Sequence, residues 1–461
     1  MEQSAITRTV TVAAGRFAAG HLGELTQQVP FEMVDAVLAE TGTVQRRVRD
    51  LPSRVVVYLL LAGALFAEHG YRQVWHRLVA GLDGLAVPDP TETALTKARR
   101  RVGPAPLRAL FDLLRGPAAT RAGSARWKGL LVCALDGTTM SVADSRANLT
   151  EFSKQRGGAT GGSAYPMLRL LAVVACGTRT VIDAVYGPIT SGETTYARQL
   201  VARLPAGMLI LADRNFAAGH LLAAIADAKA HLLVRAKTGA GGPHLPILRR
   251  HRDGSYRSTF GGRVVRVVEA EITVTTTAAT VTGGYRLITT LLDHRRHPAG
   301  ALIRLYHERW EIETAYLELK SSILGGRVLR ARTPTGVHQE VYALLVTYQI
   351  LRTAMTDAAN SQPGLDPDRA SFTVALRVAR DQVVQAAGIV AGAIIDLVGK
   401  IGRVVLDDPL PPRRLRVNAR TVKRAISKYN ARGPTIDRRT YKATLAIDIL
   451  TGPALTTGPE P

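Results

Sequence analysis

The stretch GLLVCALDGTT, residues 129–139, decides how the rest of the chain is read. Leu130 to Leu135 form an unbroken apolar run between two glycines, the pattern of a short strand buried on both faces. The run closes on a carboxylate, Asp136. Two more runs of this kind follow, PMLRLLAVVAC (166–176) and TVIDAVYG (180–187), parted by Gly-rich turns. The helical segment TTYARQLVARL (194–204) then leads to the strand MLILAD (208–213), the helix FAAGHLLAAIADAKA (216–230) and the strand HLLVRAK (231–237). The order is β-β-β-α-β-α-β. Three strands with no helix between them predict an antiparallel meander, and the later alternation predicts parallel strands added beside it.

Working outward, residues 1–128 read as a helical N-terminal domain, with apolar groups at helical spacing in FEMVDAVLAETG (31–42) and RQVWHRLVAGL (72–82). TKARRRV (96–102) carries Lys97, Arg99, Arg100 and Arg101, a cluster suited to phosphates or to a solvated helix face. The core's first part spans 129–236. Residues 237–297, rich in Gly, Thr and Val, predict a β-rich insertion, and 298–360 return to helix. SQPGLDPD (361–368) reads as a linker. The remainder, 361–461, reads as helical and then strongly basic, with eleven Lys or Arg from Arg413 to Lys442 against the single acid Asp437. The predicted class is therefore α/β, with an insertion in the core and helical regions at both ends.

At 461 residues the chain is too long for one ordinary core. Its 60 Lys and Arg against 37 Asp and Glu leave a net charge of +23, an excess that points to a polyanion, nucleic acid or an anionic membrane surface, as partner. The longest apolar run, VVVYLLLAGALFA (55–67), is too short for a bilayer, which takes about twenty helical residues. Met1 is followed by Glu2 and Gln3 with no apolar segment of a signal peptide, and Cys133 and Cys176 both sit in strand-like runs. These features lead to the expectation of a cytoplasmic protein facing nucleic acid and no membrane.

Asp136 and Asp213 each end a buried strand, where a side chain on a rigid element reaches the open edge of the sheet and active sites collect. Taken singly, each reads more readily as an Asx turn or helix cap. The decisive segment is YHERWEIETAYLELK, residues 306–320. At about 100° per residue, Tyr306, Arg309, Glu313 and Lys320 share one helical stripe about 60° wide, while Glu308, Glu311 and Glu318 fall on other faces. An Arg309–Glu313 pair on a solvated helix is worth only a few tenths of a kcal/mol and explains neither Tyr306 nor Lys320.

The spacing Y-x2-R-x3-E-x6-K of these four residues resembles the signature of the DDE transposases of bacterial insertion sequences, in the insertion-sequence-four family. LDGTT around Asp136 and ADRNF around Asp213 resemble the contexts of that family's first two acids, except that Asn215 stands where a Gly is usual. The resemblance runs through roughly residues 20–355. It implies a ribonuclease-H-like catalytic core, with the β-rich insertion placed before the helix of the catalytic Glu. Asp136, Asp213 and Glu313 would be the catalytic acids and the ligands of Mg²⁺ or Mn²⁺, Asp136 shared between two ions, since hard ions take oxygen ligands. Tyr306, Arg309, Lys320 and Trp310 would contact DNA. The partners would be double-stranded DNA, both element ends and target, and a second copy of the chain when two ends are paired, in a bacterial, nucleoid-associated protein.

The resemblance further implies a hairpin intermediate at the element end, whose displaced base needs an aromatic surface; Tyr256, Phe260, Tyr285 and Trp310 are the candidates. A ribonuclease-H-like nuclease or resolvase, and a DNA-binding relative without catalysis, are the alternative readings. His294 and His297 are spaced like metal ligands but lack a convincing third partner. Asp144 and Asp183 are rival acids at positions that suit a turn and a strand interior.

Overall fold

The protein is described here from a computed structural model, which covers residues 9–117, 126–155, 163–239, 241–277, 279–386, 399–411, 416–417 and 441–450. A small hairpin, β1 (Thr9–Thr11) and β2 (Phe17–Ala19), opens the chain. Five helices follow: α1 (Phe31–Glu40), α2 (Ser53–Leu65), α3 (Tyr71–Val79), α4 (Glu92–Val102) and α5 (Ala105–Leu114). The core begins with β3 (Arg126–Trp127), β4 (Leu130–Ser141), α6 (Arg146–Phe152), β5 (Met167–Ala175) and β6 (Val181–Pro188). It continues through α7 (Glu193–Val201), β7 (Met208–Ala212), α8 (Gly219–Asp227) and β8 (His231–Ala236).

The insertion supplies β9 (Arg249–Arg250), β10 (Tyr256–Phe260), β11 (Arg263–Thr276) and β12 (Thr280–Thr289). The chain then forms α9 (Ala299–Tyr306), α10 (Trp310–Leu317), α11 (Pro334–Asn360), α12 (Phe372–Val384), α13 (Gly399–Asp407), β13 (Arg416–Val417) and β14 (Tyr441–Ile449).

In the core, β4, β5 and β6 form the antiparallel meander, and β7 and β8 add parallel strands on the other side of β4. The insertion does not stand apart. β12 pairs antiparallel with β8, so one sheet runs β14-β11-β12-β8-β7-β4-β5-β6. Alternation along β4 sorts its two faces. Leu131, Cys133 and Leu135 pack with α7 and α8, whereas Val132 and Ala134 pack with α9, α10, α11 and the N-terminal helices.

The C-terminal region departs from the expected helix. After α12 and α13, β14 pairs with β11 along Ala270–Thr276. Leu445, Ile447 and Ile449 repeat at the strand period, and the last two pack beside Ile272 in the core. The basic composition of the region obscures that period. Most of the basic tail from Arg413 to Lys442 lies outside the described residues.

The apolar run 55–67 lies in α2, which is buried on nearly every side, and among the described residues no helix is long and apolar enough to cross a membrane. α2 packs on α11, the longest helix. Arg330 fastens this junction: its Nε donates to Glu340 Oε1 at 3.0 Å, its other nitrogens donate to the carbonyls of Gly63 and His69, and its guanidinium lies 4.4 Å over the Tyr71 ring. Gly63 permits the approach, since a Cβ there would stand 2.8 Å from the Tyr71 ring. Arg330→Ala leaves the buried Glu340 carboxylate without its cation. Urea unfolding followed by circular dichroism is expected to show a loss of about 3 kcal/mol, whereas an exposed-arginine control such as Arg100→Ala changes little.

Candidate active site

Asp136 lies within β4 and not beyond its end, a correction to the strand-end expectation. The parallel partner stops first: Leu135 pairs with Ala212, the last residue of β7, and Asp136 is the next residue on β4. β4 continues to Ser141 against β5 alone. The carboxylate thus stands where one side of the strand has lost its neighbour. Its side chain is 19% exposed; Oδ1 accepts the Gly137 amide at 2.8 Å and Oδ2 accepts Arg309 Nη1 at 3.3 Å. Burial pushes its pKa up to about 7, opposed by Arg309 and the Gly137 amide and reinforced by Asp213 and Glu313.

Asp213 follows β7 and caps the short turn Arg214–Phe216, its Oδ1 accepting the Asn215 amide at 2.8 Å. The capping role and a place at the sheet edge are therefore compatible. Glu313 lies on α10, 35% exposed, and its Oε1 accepts Arg309 Nη2 at 3.1 Å. One buried guanidinium thus joins two carboxylates that are far apart in sequence.

The segment 306–320 is not one regular helix. α9 ends at Tyr306, His307–Arg309 form a 3₁₀ turn, α10 runs to Leu317, and Glu318–Ile323 form a π-helical turn of the kind that gathers at functional sites. This winding redistributes the four signature residues. Arg309 is buried between the carboxylates. Tyr306, expected to contact DNA, is instead buried, and its hydroxyl donates to the Ala212 carbonyl at 3.0 Å, fixing the end of β7 just before Asp213. Lys320, in the π turn, donates to Thr138 Oγ1 at 3.0 Å. Trp310 is 44% exposed, with the Arg309 guanidinium 5.3 Å from its ring centre.

Several contributors were missed in the sequence. The Tyr316 hydroxyl donates to the Asp136 carbonyl at 2.7 Å and accepts the Ala172 amide at 3.1 Å, tying α10 to the strand pair that carries Asp136. Its spacing, three residues after Glu313, was the available signal. Arg235 on β8 stacks 4.1 Å over Tyr285, and its Nη2 is buried without a hydrogen-bond partner among the described residues. Both residues lie close enough to Tyr306 to act on its hydroxyl, together with Arg309 and Asp213, although burial is the largest influence there. A lone cation in an apolar strand was the signal for Arg235.

A buried ion network holds α10 from behind. Arg179 Nε donates to Glu311 Oε2 at 2.5 Å, its Nη1 lies 3.4 Å from Glu318 Oε1, and its Nη2 lies 3.0 Å from Asp368 Oδ1. Arg352 Nε donates to Glu318 Oε2 at 3.0 Å, and the Tyr348 hydroxyl lies 3.1 Å from the same oxygen. Arg179 takes φ 57°, a left-handed conformation uncommon outside glycine, so its surroundings over-determine its position. No local spacing marks Arg179 in advance.

The rival acids lie elsewhere. Asp183 is buried between Arg115 and Arg203, each at 2.8 Å, and Asp144 pairs with Lys154 at 3.0 Å. His294 stacks on His251, and His297 packs on Trp127. Among the described residues no group of three or more His, Cys, Asp or Glu is arranged to hold a metal ion. Of the aromatic candidates, Tyr256 is buried beside Glu269 and Phe260 packs against the core, which leaves Trp310 the most open. In the TKARRRV cluster, Arg99 stacks 3.8 Å over Tyr71, and Arg101 donates to the Leu51 carbonyl at 2.5 Å.

Two family descriptions match the chain, "Insertion element 4 transposase N-terminal" over residues 19–112 and "Transposase DDE domain" over 127–350. Transposase InsG for insertion sequence element IS4, from Escherichia coli K12, is 27% identical over 410 residues, covering 86% of this chain and 91% of that protein. The putative transposase InsZ of the same organism is also 27% identical, over 42% of this chain and 64% of its own length. A piggyBac transposase synaptic complex with hairpin DNA, solved by cryo-EM, gives a TM-score of 0.43 at 9% identity over 86% of each chain, a likeness too weak to define the fold.

Glu318→Gln keeps the shape of the network but removes the charge that answers Arg352. It is expected to cost roughly 3–5 kcal/mol in urea unfolding; a loss below about 1 kcal/mol would mean that the network does not hold α10.

Proposed function

The chain belongs to the DDE transposases of the insertion element 4 type, and from that premise we propose that Asp136, Asp213 and Glu313 are its catalytic carboxylates on a ribonuclease-H-like core. The protein is a transposase, an enzyme that cleaves DNA and transfers the cut strand. The observation that carries the site assignment is a bridge: the Arg309 guanidinium donates both to Asp136 on β4 and to Glu313 on α10, while Asp213 directly follows β7, the parallel neighbour of β4. The sheet order β8-β7-β4-β5-β6, with β6 to β4 antiparallel and β7 and β8 parallel, supports the core assignment.

An all-oxygen donor set suits Mg²⁺ or Mn²⁺, and a crowded, partly buried acid such as Asp136 is one whose charge a dication would stabilise. As folded, the three acids are not gathered as a ligand set, since Arg309 lies between Asp136 and Glu313. With that guanidinium displaced, Asp136, Asp213 and Glu313 would hold the metal, which would activate the attacking oxygen and stabilise the leaving one. In this conformation Arg309 supplies the positive charge between Asp136 and Glu313.

The chain's own residues do the rest. In cleavage water adds to phosphorus and a P–O3′ bond breaks, leaving a 5′ phosphate and a 3′ hydroxyl. In transfer that 3′ oxygen bonds to a target phosphorus, giving up its proton, while the target's own P–O3′ bond breaks and releases a target 3′ hydroxyl. Tyr306 and Tyr316 fix the two strands that carry Asp136 and Asp213. Arg309 and Lys320 are cations within reach of a phosphate at the carboxylates, Arg309 as a fork and Lys320 as a point charge. Arg235, stacked on Tyr285 and within electrostatic reach of Tyr306, adds positive charge behind that tyrosine. Two copies would act together when two element ends are paired.

Asp136→Ala, Asp213→Ala and Glu313→Ala are each expected to lower strand cleavage in Mg²⁺ on the order of 10³-fold or more, the scale of removing one member of a catalytic unit. Binding to duplexes bearing the element's terminal inverted repeat should persist. Full cleavage by any one variant removes that residue from the site.

Trp310 offers its ring to a base displaced at a hairpin end. Trp310→Ala is expected to leave the first nick intact and to reduce hairpin closure by about tenfold, within the range of one lost stacking contact. An end-labelled duplex resolved on a denaturing gel reads both products, and equal closure by parent and variant removes Trp310 from that role.

A further inference from the structure

A second concentration of positive charge lies away from the carboxylates. Arg249 on β9, Arg257 on β10 and Arg266 on β11 are direct cross-strand neighbours, three arginines in one row. Like charges opposite one another in a sheet are destabilising, so the row needs an answering charge. Arg266 receives part of one. It is fully buried, its Nη2 donates to the His297 carbonyl at 2.5 Å, and it lies 3.7 Å from Asp253.

Arg249 and Arg257 form no ion pair with a described residue. The Nε atoms of Arg257 and Arg266 and the Nε2 atom of His251 are all shielded and lack hydrogen-bond partners among the described residues. His251 stacks on His294 at 4.3 Å, the planes 18° apart, and lies within electrostatic reach of Arg257 and Arg266. Two arginines, a buried third and a histidine pair thus surround one place, with Asp253 and Asp293 as their nearby acids. Two carboxylates stand against three guanidiniums and two imidazoles.

The register gives the row a direction. It continues through Thr289, Leu233 and Leu211 to Ala134, two residues before Asp136 on β4. Opposed residues share a face, so the arginines face the same side of the sheet as the carboxylates. β10 and β9 are the fourth and fifth strands from β7, about 19–24 Å along the sheet at about 4.8 Å per strand. Phosphates advance about 3.4 Å per nucleotide along one DNA strand.

We propose that Arg249 and Arg257, with His251 and His294 beside them, form a strip that binds the phosphodiester backbone of DNA roughly six or seven nucleotides from the cut. This rests on the carboxylate site being where the DNA is cleaved. The phosphates supply negative charge beyond that of Asp253 and Asp293. Because the shared face is covered by α9 to α11, the duplex spans the two places from outside those helices.

The test uses the full-length protein and a labelled duplex ending in the element's terminal inverted repeat. Arg249→Gln alone, on a two-residue edge strand, and Arg249→Gln with Arg257→Gln are compared with the parent, their fold checked by circular dichroism. The slope of log affinity against log salt should become shallower by about one unit for the single variant and about two for the double. Ethylation of phosphates six to seven nucleotides from the cut, roughly the reach set by the strand spacing, should weaken the parent but not the double variant. Cleavage rate at saturating DNA should be unchanged. An unaltered slope in a folded single variant, or an ethylation pattern shared by parent and double variant, overturns the strip. If the parent instead fails to cleave the duplex, the carboxylate assignment falls while a changed slope would still be read as phosphate binding.

Discussion

Two carboxylates from distant segments, Asp136 and Glu313, are answered by a single buried guanidinium. Arg309 donates to Asp136 at 3.3 Å and to Glu313 at 3.1 Å, linking the central strand to the helix beside it. Other features of the site serve that arrangement. Ending β7 at Ala212 frees the side of β4 on which Asp136 stands, and Tyr306 donates to the buried carbonyl of Ala212. Tyr316 ties the helix to the pair of β4 and β5.

A helix that carries one acid forward must be held against rotation, because a rotation of one residue moves a side chain by about 100°. Glu311 and Glu318 flank Glu313 in sequence and are buried on the opposite side, where Arg179 and Arg352 hold them. Buried ion pairs contribute little net stability, but removal of one member is costly. Such a network suits geometric specification better than adhesion. It also brings Asp368, at the end of the turn-rich linker, to Arg179, the residue that holds Glu311 of α10.

The sheet integrates the insertion with the core. Because β12 pairs with β8, the insertion's strands continue the surface that carries Asp136 and Asp213, and β14 closes the free edge of β11 along seven residue pairs. Edge strands left open are sites of unwanted pairing. A continuous sheet also gives the charges of the insertion a fixed distance from the acids, which a flexible tether would not.

The sequence by itself determined the strand order of the core, an acid on or just after two of its strands and the acid set among the cations of 306–320, because each depends on local periodicity and on residue type at fixed spacing. It determined the charge excess for the same reason, since composition needs no fold. Tertiary structure alone decided what those residues touch. An ideal helix places Tyr306, Arg309 and Lys320 on one exposed stripe, but the 3₁₀ and π turns around α10 shift that phase, and packing buries Tyr306 and Arg309. Glu311 and Glu318 read only as acids on other faces of the helix, because their partners, Arg179 and Arg352, come from other elements, Arg179 lying 132 residues from Glu311. β14 was hidden in the same way: its partner β11 lies far upstream, and local sequence does not specify pairing between distant segments, which is settled by which edges and faces remain uncovered once the core has formed.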